Sequence, residues 1–272
     1  MSEIKMIASD LDSTFFNDKK HYHKTHFAAV LNKLLAQDGH FVVASGRDVE
    51  SVDPIFKSFA GKYDLVADNG AVVRTADGEI IQMVGLHVKD VATIMEVVNA
   101  MPFQPRHGAF FTGITQTYML KSQARINLVY KAKMAKYYPN LKFIDSVDQI
   151  NEPILKVTIT YEEKKTQEFI DAARITLADR GHVTTSGYGS VDIVAPKINK
   201  ANGLQTLASH YGFKLNENLA AFGDGLNDAE MLAAAARPFA MINGDESLKE
   251  LYPLAIDDNN HDGVLKTIDT LI

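Results

Sequence analysis

The chain has no cysteine, which excludes a disulfide framework, a thiolate metal site and a cysteine nucleophile together. It is also short of positive charge: 28 Lys and Arg stand against 34 Asp and Glu, a formal net charge of −6. General nucleic-acid binding needs clustered cations to neutralise phosphates, so that balance argues against a nucleic-acid partner. No apolar run approaches the ~18 residues of a membrane span. The opening MSEIKMIASD carries charges at Glu3 and Lys5, on an apolar run too short for a signal peptide. The expectation is a soluble, cytoplasmic protein with no membrane partner. Low-complexity segments, long charge blocks and internal repeats are also missing.

What is present is ordinary for a globular protein: 272 residues, 46% hydrophobic and 23% charged, enough for one large domain or two modest ones. Short apolar runs alternate with helical periodicity, the pattern of an α/β fold with a mostly parallel sheet. IKMIAS, FVVASG, LVADNG, LAAFGDG and PFAMING read as strands. HFAAVLNKLLAQDGH reads as a helix stopped at Gly39, a second helix is expected near residues 48–60, and NDAEMLAAAA and GVLKTIDTLI read as two more. Several of these strands run straight into small, polar or acidic residues: Asp10, Ser45, Asn69, Asp224 and Asn243. In open parallel sheets ligands bind beyond the carboxyl ends of the strands, so these loops are expected to converge on one pocket.

The middle breaks this rhythm. After AVVRTADGEIIQ, which reads as a hairpin turning at Asp77 and Gly78, residues 83–189 carry their own elements. KDVATIMEVVNA and KKTQEFIDAARITLADRG have helical spacing, and AFFTG, LKFIDSV and ILKVTITY read as strands. The stretch lacks the strand-then-acid signature and reads as an inserted α+β domain. The alternating pattern resumes near VDIVAP, which leaves a discontinuous outer domain of residues 1–82 and 190–272.

The chemistry lies in the strand ends. Asp10 and Asp12, in IASDLDSTFF, repel one another unless a cation joins them. Mg²⁺ suits them, because it takes oxygen ligands and is held by one or two carboxylates with waters and substrate phosphate. FGDGLND offers a third carboxylate at Asp224, with Asp228 in reserve. Asp10 could then attack phosphorus to give an aspartyl-phosphate, while Asp12 protonates the leaving oxygen and later deprotonates water. Ser45 and Gly46, with Arg47 beside them in VVASGRD, offer a hydroxyl and backbone N–H groups at an expected helix N-terminus. Lys200 in KINKANGL supplies a positive charge, and Asn227 an amide N–H. These are the parts phosphoryl transfer requires.

Each segment alone has a plainer reading: a turn, an N-cap, a surface lysine. HYH at residues 21–23 lacks the i, i+4 pair a helical zinc site needs. The decisive feature is DLDST, ASGR, NKANG and GDGLND occurring together in that order.

Those four segments resemble the motifs of the haloacid dehalogenase superfamily of Mg²⁺-dependent phosphatases. The position of the insert, the ADNGAVV turn and the DDNNHDGV stretch resemble its Cof-type branch, and TSGYGSVDIVAPKINKANG resembles bacterial Cof-type sugar phosphatases. The resemblance implies a Rossmann-like, doubly wound parallel-sheet core with an α+β cap that sets substrate specificity. It implies Asp10 as nucleophile and metal ligand, and Asp12 as acid/base and as a Mg²⁺ ligand through its carbonyl. Asp224 would complete the protein's ligands and Asp228 would position a metal-bound water. Leu11 (through its N–H), Ser45, Gly46, Lys200 and Asn227 would surround the phosphate. One departure is visible: the family usually has Gly where this chain has Ser13, and glycine accepts backbone angles that serine resists.

The reading that follows is a Mg²⁺-dependent phosphatase of small phosphomonoesters, sugar phosphates foremost. A phosphomutase uses the same intermediate, but the large cap disfavours it. A receiver-like signalling module is phosphorylated on Asp too, yet is shorter and needs no partner such as Asp12. Tyr188, in SGYGSVD, is a candidate contact for the sugar; the alternative is a plain hairpin with Tyr188 packed on the cap sheet.

Overall fold

The computed structural model describes residues 3–124, 138 and 140–272. The chain opens with β1 (Met6–Ser9), β2 (His40–Ala44), β3 (Asp64–Ala67), β4 (Val72–Arg74) and β5 (Ile80–Met83). It continues with β6 (Ala109–Gly113), β7 (Thr117–Leu120), β8 (Leu141–Ile144), β9 (Ile154–Thr160), β10 (His182–Gly187) and β11 (Ser190–Val194), then closes with β12 (Leu219–Gly223) and β13 (Arg237–Ala240). Among the described residues these strands form a seven-stranded sheet, β13-β12-β1-β2-β3-β4-β5, and a six-stranded sheet, β10-β11-β9-β6-β7-β8. No helix among them is long and apolar enough to cross a membrane.

The larger sheet belongs to a unit of Met1–Gln82 with Asn199–Ile272. Its strands from β13 to β3 are parallel, and β4 turns back antiparallel on β3. β1 and β12 are buried along their whole length, as expected for a parallel sheet covered on both faces. That is why their sequences, MIAS and LAAFG, are near-continuous apolar runs rather than alternating ones. From β1 the chain winds outward through β2 and β3, and it returns later to place β12 and β13 on the other side. The order therefore reverses between β1 and β12, and the carboxyl ends of those strands flank the crevice where doubly wound folds bind ligands. This is the Rossmann-like α/β core.

The smaller unit is Met83–Ile198. Its antiparallel strands β6, β9, β10 and β11 pack Phe111, Val157, Ile159, Val183, Val191 and Ile193 into one core with the helices Val88–Ala100 and Glu163–Leu177. The second boundary expected from the sequence, 189/190, falls inside the β10–β11 hairpin. VDIVAP does not resume the parallel core; β11 pairs antiparallel with both β9 and β10. A buried strand looks equally apolar in either sheet, and only its partners distinguish them. The opposite face of this sheet is mixed: Thr112, Thr117, Lys156, Thr184 and Asp192 are buried there along with an apolar cluster around Phe110 and Met119.

Two expected helix ends also shift. The first helix is Lys24–Leu35, and the left-handed residue after it is Asp38 (φ 54°), not Gly39. Gly39 is needed for space, since a Cβ there would lie 2.5 Å from the Leu34 side chain. The next helix is Val49–Phe56, with Asp48 accepting from the Ser51 N–H as its cap. Ser45 thus precedes the helix by several residues and is not its N-cap.

The turn leaving β1 carries the one departure noted in the sequence. Ser13 has φ 64°, in the left-handed region, where a non-glycine L-residue is disfavoured by roughly 1–2 kcal/mol. Its carbonyl accepts from the Asn243 side chain at 2.7 Å, which fixes the turn from outside. Ser13→Gly should therefore stabilise the protein, by roughly 0.5–1 kcal/mol once glycine's greater chain entropy is deducted. Urea denaturation at equilibrium measures this; a glycine variant less stable than the parent would refute strain at Ser13.

Candidate active site

The loops after β1 and β12 meet at a buried ammonium. Lys200 is the first residue of the helix Lys200–Tyr211, capped by the Asn199 side chain, which accepts from the Asn202 N–H. A cation at a helix N-terminus is unfavourable against the helix dipole, and Lys200 is 0% exposed. Two carboxylates compensate: Lys200 Nζ lies 2.6 Å from Asp10 Oδ1 and 2.6 Å from Asp228 Oδ1. A solvated surface lysine, the plainer sequence reading, is excluded.

Asp228 is committed twice. Its second oxygen accepts the N–H groups of Asp224 and Gly225, each at 3.0 Å, and so shapes the turn that presents Asp224. Thr14 Oγ1 donates to Asp224 Oδ1 at 2.6 Å, joining the β1 turn to the β12 turn. Carboxylate oxygens of Asp10, Asp224 and Asp228 lie within 4.8 Å of one another. Burial lifts the Asp10 carboxyl well above its ordinary range, against the pull of Lys200, and Asp228 and Asp224 push the same way as burial. Burial and the charge of Asp228 raise Asp224 to about 6. For Lys200, burial alone would lower the pKa, but Asp10 and Asp228 outweigh it and hold the group above its ordinary value.

An all-oxygen set of crowded carboxylates, two of them resisting ionisation, fits a hard divalent cation such as Mg²⁺. The side chain of Asp12 stands apart from this cluster. Its two oxygens take a bidentate pair from Arg47, Nε at 2.7 Å and Nη2 at 2.8 Å, and Lys20 Nζ sits 2.8 Å away. Burial would raise the Asp12 carboxyl, but Arg47 and then Lys20 outweigh it and hold the group at about 2. Arg47, a phosphate candidate from the sequence, is thus engaged with Asp12 here.

The remaining candidates fall into two groups. Ser45 is buried at the end of β2, its Oγ accepting the Arg47 N–H at 3.1 Å, and Gly46 lies between them. Asn227 is buried in the turn after β12 and donates to Asn69 Oδ1 at 3.1 Å. Leu11 is buried, its carbonyl accepting the Phe16 N–H at 2.8 Å within the β1 turn. Tyr188 belongs to the smaller unit, at the tip of the β10–β11 hairpin with φ 53° and 78% exposed. The hairpin is real, but Tyr188 does not pack on its sheet.

The sequence reading assigned no role to Thr14, Lys20 or Asn69. Thr14 and Asn69 had a signal, since both follow strand ends; Lys20 had none. The DDNNHDGV stretch carries part of the resemblance, but its sequence shows no local role. In the structure Asn259 Nδ2 donates to the Phe16 carbonyl at 3.0 Å and to Asp18 Oδ1 at 3.1 Å, and its N–H donates to Asn243 Oδ1. The C-terminal segment therefore anchors the loop that follows Asp10 and Asp12.

Comparison with known proteins identifies the family and the fold. A family model described as haloacid dehalogenase-like hydrolase matches residues 7–268. The chain is 30% identical to the 5-amino-6-(5-phospho-D-ribitylamino)uracil phosphatase YbjI of Escherichia coli K12, covering 99% of this chain and 96% of that protein. Among solved structures it is similar to SMU.1108c from Streptococcus mutans UA159, with TM-score 0.90, 28% identity and 98% of each chain covered. Its fold is also that of a HAD subclass IIB sugar phosphatase, BT4131, with TM-score 0.79 at 18% identity, covering 98% of this chain and 100% of that one. With a family match over nearly its whole length and a relative aligned from end to end, this chain belongs to the haloacid dehalogenase-like hydrolases.

Proposed function

We propose that the protein is a Mg²⁺-dependent phosphatase of small phosphomonoesters that works through an aspartyl-phosphate on Asp10. The observation that carries this reading is the buried set of Asp10, Lys200 and Asp228, with Asp224 beside it and Asp12 two residues along on a separate pair of cations. Asp10 needs to be ionised to attack phosphorus, and Lys200 favours that form against the cost of burial. As the Asp10 oxygen bonds to phosphorus, the ester oxygen leaves and takes a proton from Asp12. Asp12 then removes a proton from the water that cleaves the acyl-phosphate.

Held by Arg47 and Lys20, Asp12 is a carboxylate and a poor acid. A phosphoryl dianion competes for those same cations. Drawing Arg47 onto the phosphate would return Asp12 toward its ordinary acidity as substrate binds, which reconciles the two roles. Mg²⁺ would be held by Asp10, Asp224 and the Asp12 carbonyl, with Asp228 behind, and would supply positive charge against the repulsion between carboxylate and phosphate. Leu11, Ser45, Gly46, Lys200 and Asn227 would bind the phosphoryl oxygens.

Sugar or polyol phosphates are the favoured substrates. YbjI, by its name, acts on a ribityl phosphate, an alkyl ester whose poor leaving group needs an acid such as Asp12. The smaller unit would serve as the specificity cap, and Tyr188 as an aromatic face for the organic part.

Two substrates test these roles. Asp10→Asn should abolish turnover of both p-nitrophenyl phosphate and a sugar phosphate while the protein still folds; comparable kcat in that variant would end the nucleophile assignment. Asp12→Asn should lose far more on the alkyl ester than on the aryl one, whose leaving group needs little protonation. Equal losses would make Asp12 structural. Tyr188→Ala should lower kcat/KM for the best sugar phosphate and leave p-nitrophenyl phosphate nearly unchanged. If both activities fall together, Tyr188 does not read the sugar.

The metal reading has its own pH signature. Protons compete with Mg²⁺ for Asp224, whose carboxyl sits at about 6. The Mg²⁺ concentration for half-maximal activity should therefore rise as pH falls through that value, roughly tenfold between pH 7 and pH 5. A requirement for Mg²⁺ that stays flat over this window would remove Asp224 from the ligand set.

A further inference from the structure

The turn that ends β3, Asp68-Asn69-Gly70, contains none of the residues assigned above to phosphate, yet three of the segments that carry them lean on it. The Asp68 N–H donates to the Arg47 carbonyl at 2.9 Å and the Asn69 N–H to the Ser45 carbonyl at 3.0 Å, so it clasps the β2 loop at both ends. Gly70 lies flat against the start of the Lys200 helix: a Cβ there would sit 2.2 Å from the Asn199 carbonyl oxygen. Asn69 Oδ1 accepts the Asn227 amide N–H at 3.1 Å, and both side chains are buried. The backbone is strained to do this. Asp68 (φ 49°) and Asn69 (φ 54°) are both left-handed, followed by Gly70 at φ 102°. Consecutive left-handed non-glycine residues are costly and persist where the surroundings over-determine them, often at functional sites.

We propose that Asn69 is a positioning residue for phosphate, acting through Asn227; this rests on the phosphatase reading above. A carboxamide has one end that donates and one that accepts, of nearly the same shape. By accepting from Asn227, Asn69 fixes which end is nitrogen, and so leaves the second N–H of that amide to meet a phosphoryl oxygen. Without that acceptor the amide can turn over and present its oxygen to an anion. Asparagine suits the position twice, because it tolerates the left-handed backbone and carries the acceptor on a short side chain.

Asn69→Gly separates these two properties: it keeps the backbone angle and deletes the acceptor. The probes are orthophosphate, as a competitive inhibitor, and p-nitrophenyl phosphate, as substrate. The inhibition constant for orthophosphate and the KM should each rise roughly tenfold, the scale of one hydrogen bond to a charged group. kcat should stay within about threefold of wild type, because a ligand held less tightly in both ground and transition states shows its loss in KM. In an Asn227→Ala background, Asn69→Gly should add no further loss, since the group it orients is gone. Unchanged inhibition in the single variant overturns the proposal. Losses that multiply in the double variant overturn it too, as does a glycine variant whose melting temperature falls by more than about 10 °C, which would make Asn69 structural. A wild-type protein that neither hydrolyses p-nitrophenyl phosphate nor binds orthophosphate would instead overturn the phosphatase reading itself.

Discussion

One ammonium group organises the larger unit's site. Lys200 is fully buried at the start of a helix, where both desolvation and the helix dipole oppose its charge. It is stable there only with anions in contact, and the structure provides Asp10 from the β1 loop and Asp228 from the β12 loop. Removing Lys200 would leave two buried carboxylates facing one another, whereas either carboxylate alone still neutralises the ammonium. The relative position of the two loops and the helix is therefore an electrostatic requirement as much as a packing one.

From that requirement the other carboxylates take distinct characters. Asp228 spends its second oxygen on the backbone of Asp224 and Gly225, which makes it a bracket rather than a free ligand. Asp224 is left with Thr14 as its hydrogen-bond donor and is pushed up to about 6 by burial and by Asp228. Asp12, two residues from Asp10, is pulled down to about 2 despite its burial, because Arg47 and Lys20 reach it and not Asp10. Environments that drive neighbouring acids apart in this way mark a division of labour between them. Asp10 and Asp224, which resist ionisation, are suited to a cation; the acid that is held ionised is suited to proton transfer once its cations are engaged elsewhere.

How much of this the sequence disclosed depends on distance along the chain. The parallel strands of the core were legible because burial on both faces leaves short apolar runs, and their polar ends marked Asp10, Ser45 and Asp224. β7 and β10 were not: TYML is only four residues long and does not alternate, and the polar-rich HVTTSG carries no strong period. VDIVAP was legible as a strand but not as a member of the smaller sheet, because pairing is not a local property. Among single residues, Lys200 was recognised as a cation, but its burial depends on packing that one sequence does not display. The pairing of Arg47 was hidden for the same reason: its guanidinium meets Asp12 only because the loops after β1 and β2 fold side by side. Lys20 has no local mark at all.

Backbone strain shows the same logic on another scale. Ser13, Asp68 and Asn69 are all left-handed, and all three follow carboxyl ends of parallel strands, β1 and β3. Regular structure ends there, so the sheet imposes no angles of its own and neighbouring loops must supply them. Each strained turn is held by a side chain from far along the chain: Asn243 for Ser13, and Asn227 for Asn69. Those asparagines come from the loops after β13 and β12, and Asn243 in turn accepts from the Asn259 N–H. The loops thus hold one another in conformations none would keep alone. A site whose parts are mutually constrained can keep its donors fixed before a charged ligand arrives, which is the condition under which fixed dipoles stabilise developing charge.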